Sequence, residues 1–194
     1  NGIPPLAQSQ EPETDETLRI LFVGRLSVQK NPLLAIESVA LMSQQNWQLQ
    51  IVGEGPLSEA ARKRVTQLGL NSRISFLGWQ DSKEVAAVLS QADVLLMTSL
   101  QEGLPMVGIE ALHHGLAIIG SAIGGLQDII VDSVNGFFCS LRAQDFAGRL
   151  DSLAASPKLL FMQKRASREK AKDFDFAASV NRYETLLNAA RRSA

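Results

Sequence analysis

Residues 92–112 read ADVLLMTSLQEGLPMVGIEAL. The run opens on apolar residues that suit a buried strand, passes through Thr98-Ser99 and a Gly-Leu-Pro turn, and closes with helical spacing. Pro105 suits the first helical position, where its missing N–H and fixed φ cost nothing. Glu102 and Glu110 stand eight residues apart. One carboxylate therefore falls on the loop at the strand's carboxyl end and the other about one turn into the helix. Between them lie the free N–H groups and the positive dipole end of a helix start. Such a place holds an anion and offers acceptors to hydroxyl groups on either side. A diphosphate flanked by polyols matches that pattern.

Working outward, short β-branched runs alternate with helical patterns. Strands are predicted over 18–24, 47–53, 73–78, 92–97, 116–121 and 135–140. Asn31-Pro32 caps the first helix, and Asp81-Ser82-Lys83-Glu84 is a capping-box start for the third. After Arg142 the pattern is helical only, over about 143–154, 157–172 and 175–191. Strand–helix alternation of this length predicts an α/β fold: a Rossmann-like, parallel, six-stranded sheet with helices on both faces, followed by C-terminal helices. Residues 1–17, rich in Pro, Gln and acid, read as a linker or lead-in. The sheet domain then occupies 18–174, and a last helix 175–194.

Composition excludes several classes. The chain has 194 residues and a formal net charge of −1, which gives no push toward nucleic acid. The single cysteine, Cys139, can form neither an internal disulfide nor a metal site, and points to a reducing, cytoplasmic compartment. His113 and His114 are adjacent, which is not metal-ligand spacing. No run approaches the ~18 apolar residues of a membrane span. The stretch containing Lys158, Lys164, Arg165, Arg168, Lys170 and Lys172 fits either a solvated helix face or peripheral contact with anionic lipid at the inner face of a membrane.

In a parallel sheet, ligands bind outside the carboxyl ends of the strands. The unusual residues cluster there: Gly24-Arg25, Gly53-Glu54-Gly55, Gly78-Trp79, Ser99 to Val107, and Gly124-Gly125. In GRLSVQKN, residues 24–31, Arg25 leaves a strand tip and Lys30 precedes a helix, so both cations can converge on one anion. Neither a G-x-G-x-x-G after the first strand nor a P-loop motif occurs. Glu110 falls among Met106, Val107, Ile109, Ala111 and Leu112, where a carboxylate would be partly desolvated unless ribose hydroxyls met it.

GRLSVQKN, VGEGPL, RISFLGW, the E-x7-E segment and IGGLQDII stand in the order and spacing of one family. Over residues 18–190 the chain resembles the donor-binding half of the family 4 retaining glycosyltransferases, whose GT-B fold has two facing Rossmann-like domains. The resemblance implies that an N-terminal acceptor-binding domain of the same polypeptide lies outside this sequence, and that the last helix crosses back to it. It implies that Arg25 and Lys30 hold the donor diphosphate and stabilise the departing nucleotide. Glu110 would accept from the ribose and Glu102 would lie near the transferred sugar. Gly103, Leu104, Met106 and Val107 would offer amides to sugar and phosphate. Gly24 and Gly53 would belong to the donor-binding site, and Gly78 and Trp79 would lie where backbone groups receive the base. No metal or other cofactor is expected. The co-substrate would be a UDP- or GDP-sugar, and the acceptor a glycan or lipid-linked molecule. Asp128 stands where the family often has a glutamate. The alternatives are a non-catalytic nucleotide-sugar-binding subunit and a sugar-nucleotide epimerase of similar architecture.

Overall fold

A computed structural model describes residues 17–174. Residues 1–16 of the expected 1–17 linker and the last helix over 175–194 lie outside the described residues. Six parallel strands, β1 (Leu18–Val23), β2 (Trp47–Val52), β3 (Ile74–Gly78), β4 (Val94–Met97), β5 (Ala117–Ser121) and β6 (Gly136–Cys139), form one sheet of order β3-β2-β1-β4-β5-β6. The chain winds outward from β1 to one edge and then from β4 to the other. The switch point therefore lies between β1 and β4, and in sheets of this kind ligands bind at the carboxyl rim.

Alternation along the strands builds the two cores. Leu18, Ile20 and Phe22 face a cluster with α1 (Pro32–Ala40), α2 (Ser58–Gln67) and α5 (Ala143–Ala155). Leu21 and, from β4, Leu95 and Met97 face a second cluster with α3 (Ser82–Gln91), α4 (Met106–His114) and α6 (Pro157–Ala171). Period-2 patterning with both faces apolar is what a doubly covered parallel sheet requires. The predicted class and six strands are therefore observed, with ends trimmed by a residue or two; β4 begins at Val94 because Ala92 still caps α3.

Two caps differ from expectation. Asn31 precedes α1 but adopts a left-handed conformation (φ 52°), and its side chain makes no capping bond. Pro105 is the N-cap of α4, extended at ψ 119°, rather than its first helical residue. The capping box at Asp81 forms as predicted, with Glu84 answering the Asp81 N–H at 2.9 Å.

Below the amino ends of the strands, Asp93 is held by Arg19 at 2.9 Å and by Lys164 of α6 at 2.5 Å. Burial pushes the Asp93 carboxyl up, but these two cations outweigh it and hold the group below the usual carboxylate range. Lys170 pairs with Asp173 and Lys172 with Glu169. Three of the six cations in the basic stretch over 158–172 are thus spent on intramolecular pairs. Among the described residues no helix is long and apolar enough to cross a membrane.

Candidate functional site

At the carboxyl rim, three loops meet by backbone. The Gly24 N–H donates to the Val52 carbonyl at 3.0 Å, and the Gly53 N–H to the Gly78 carbonyl at 2.7 Å. Gly53 has φ +121°, and a Cβ there would lie 2.1 Å from the Gly24 carbonyl oxygen. Only glycine serves at that crossing. The result is a cleft of about 440 Å³. Its floor is apolar (Val23, Val52, Val85), and Arg25, Glu54, Gln80 and Trp79 supply its polar and aromatic groups. Size and lining suit a small ligand of nucleoside dimensions. Trp79 is 72% exposed, so its ring face is open to a ligand at the mouth of the cleft.

Beside this cleft the loop after β1 is clasped by the loop after β4. The Leu100 N–H donates to the Gln29 carbonyl at 2.8 Å, and Gln29 Nε2 to the Gln101 carbonyl at 3.0 Å. Thr98 Oγ1 donates to the carbonyls of Lys30 (3.1 Å) and Asn31 (2.9 Å). Lys30 Nζ is ion-paired with Glu102 Oε1, and Ser99 Oγ donates to the same oxygen at 2.6 Å. The Glu102 side chain is only 7% exposed and the Lys30 side chain 22%. The Lys30 stem lies along Gly24, about 3.4 Å from where a Cβ would stand.

Gly125 locks the loop after β5 onto the glutamate turn, since a Cβ there would lie 2.0 Å from the Gly103 carbonyl oxygen and 2.2 Å from that of Glu102. Met106 and Val107 open α4, so their N–H groups have no carbonyl partner in the helix.

The structure thus brings Gly24, Arg25, Gly53 and Trp79 together on one cleft, with Gly78 bonded beneath it. Lys30 and Glu102 adjoin it through Gly24. Gly103, Leu104 and Met106 are exposed on the rim after β4, and Val107 is half-buried. Arg25 is exposed and forms no ion pair with another described residue. Glu110 differs from expectation: it is exposed rather than desolvated, because it points away from the apolar face that Ala111 and Leu112 bury. Gln80 escaped the sequence reading, and Ser99 and Glu54 were placed at the rim without a role in the site. The signal for Ser99 was its place three residues before Glu102; for Glu54, its place between two glycines.

The glycosyl transferases group 1 family model matches residues 6–173. The chain belongs to that family. It is 33% identical to the lipopolysaccharide 1,6-galactosyltransferase of Salmonella typhimurium over 146 residues, covering 72% of this chain and 40% of that protein. It is 29% identical to an Escherichia coli UDP-Gal:alpha-D-GlcNAc-diphosphoundecaprenol alpha-1,3-galactosyltransferase over 171 residues, covering 85% of this chain and 44% of the relative. The chain spans less than half the length of these curated relatives. Among solved structures, Anabaena Alr3699/HepE in complex with UDP superposes with a TM-score of 0.80 at 18% identity, over 91% of this chain and 50% of that one. The C-terminal domain of a Francisella tularensis group 1 glycosyl transferase (LpcC) superposes at 0.75 with 23% identity, over 86% of this chain and 93% of that domain. The fold is therefore that of one half of a GT-B glycosyltransferase.

Proposed function

We propose that the chain is the donor-binding half of a retaining glycosyltransferase, taking a nucleotide-diphospho-sugar and passing the sugar to a glycan or lipid-linked acceptor. One observation carries the reading: the Arg25 guanidinium, without an ion pair among the described residues, shares a nucleoside-sized cleft with Trp79, and the Lys30 side chain runs beside that cleft along Gly24. A ring face and two cations in sequence suit a base followed by a diphosphate.

In this reading Arg25 and Lys30 take the phosphate oxygens, aided by the free N–H groups that open α4. As the phosphate–sugar bond breaks, charge gathers on the leaving phosphate, and fixed cations stabilise it without a metal. The leaving phosphate would accept the acceptor's proton. Glu110, exposed on α4, is free to accept from ribose hydroxyls. Glu102 keeps Oε2 without a partner among the described residues, so it can face the sugar. A UDP-sugar is favoured over a GDP-sugar because the Anabaena neighbour was solved with UDP and the Escherichia coli relative is named for UDP-Gal. The same relative's name, with its diphosphoundecaprenol acceptor, favours a lipid-linked acceptor.

The test is thermal stabilisation of the protein by UDP-, GDP- and ADP-sugars, followed by NMR of the anomeric product from the full-length protein. Stabilisation by UDP-sugars and an unchanged anomeric configuration are expected. Absence of stabilisation by any of the three rejects donor binding, and an inverted product rejects retention.

A further inference from the structure

We infer that Ser99 is a positioning residue for the transfer step, acting through Glu102 on the ammonium of Lys30. The inference rests on the donor-binding reading above. Two donors converge on one oxygen, Glu102 Oε1: the Ser99 hydroxyl at 2.6 Å and the Lys30 ammonium. Ser99 is 2% exposed, and its hydroxyl has a single proton, which this bond uses. The carboxylate therefore cannot swing toward solvent without leaving a buried hydroxyl unpaired.

Lys30 is consequently fixed at both ends by the loop after β4. Its carbonyl accepts from Thr98, and its ammonium is held by a carboxylate that Ser99 holds in turn. A lysine stem is otherwise a flexible tether with a mobile point charge. An ammonium carries three donors, so one bond to Glu102 leaves two for phosphate oxygens.

The two cations then have different duties. Arg25, exposed and unpaired among the described residues, recruits the diphosphate. Lys30, already aimed, acts where charge develops as the bond to the sugar breaks, and preorganised charge of that kind raises turnover rather than ground-state affinity.

Ser99→Ala keeps every formal charge and removes only the bond that aims the carboxylate. In the full-length protein it should lower kcat roughly tenfold, with the donor KM within about twofold of wild type. The decisive measurement repeats the substitution in a Lys30→Ala background. If Ser99 acts through Lys30, it should then change kcat by less than about 1.5-fold, since the interaction energy sits in the pair. Ser99→Cys, nearly isosteric but a weak donor, should match Ser99→Ala and guards against a packing artefact, with thermal transitions checking the fold. An equal loss in both backgrounds, or no loss in wild type, overturns the inference while leaving donor binding intact. A wild-type protein that binds neither UDP nor GDP overturns the donor reading and this inference with it.

Discussion

Consider Lys30→Ala. The substitution removes an ammonium whose side chain is 22% exposed and leaves the Glu102 carboxylate, 7% exposed, with Ser99 as its remaining described partner. Breaking a buried pair costs ~3–5 kcal/mol; because the ammonium end keeps some water, about 2 kcal/mol of stability is the expected loss here. Transition-state stabilisation should fall by about 2–4 kcal/mol, as for other lost oxyanion donors, or roughly 30- to 1000-fold in kcat. The two losses separate in a second variant. Lys30→Met with Glu102→Gln removes both charges, so stability should return to within ~1 kcal/mol of wild type, while turnover stays low. Urea denaturation reads the first quantity and a sugar-release assay on the full-length protein reads the second. Unaltered turnover in Lys30→Ala would reject the clamp. A double variant no more stable than the single one would reject the ion pair as the source of the destabilisation.

Trp79→Ala should leave stability nearly unchanged, because the ring is 72% exposed, and should weaken UDP binding by ~1–2 kcal/mol, the cost of a lost stacking face; calorimetry measures it, and an unchanged Kd would place the base elsewhere. Gly125→Ala drives a Cβ against the carbonyls of Glu102 and Gly103 at 2.0–2.2 Å. It should cost about 3 kcal/mol or more and impair UDP binding, whereas a variant with wild-type stability would contradict the close approach. Asp93 titrates lower when folded than when unfolded. Its stabilisation is therefore present above the unfolded pKa of ~3.9 and drains away as pH falls below that toward the folded value. Asp93→Asn should destabilise the protein at neutral pH by about 3 kcal/mol and flatten the acid limb of a stability–pH curve; an identical limb in both proteins would exclude this group as its source. Burial pushes the Cys139 thiol up to about 12, so the native protein should resist alkylation at pH 8 that unfolded protein undergoes rapidly.

The fold was legible because both faces of the central strands are apolar and four of the five crossovers carry an α-helix, patterns that local sequence carries directly. The glycine positions at the rim were equally plain. Caps were less so: Asn31 has the right residue type, but the clasp of its carbonyl by Thr98, 67 residues away, goes with a left-handed backbone and no side-chain cap. The exposure of Glu110 follows from the roll of α4 about its axis, which turns Gly108 onto the Ile129 side chain and Glu110 outward. Periodicity gave the apolar set but not that rotation. The pair of Lys30 with Glu102 joins residues 72 apart on two loops. Sequence placed both at the rim, yet could not tell that the lysine would arrive already neutralised.

Calorimetric titration with uridine, UMP and UDP, on wild type and on Arg25→Ala, tests the central claim most directly. The account predicts affinity rising with each phosphate, and a UDP-over-uridine advantage that largely vanishes without the guanidinium. Equal affinity for uridine and UDP, or an advantage untouched by Arg25→Ala, would contradict it.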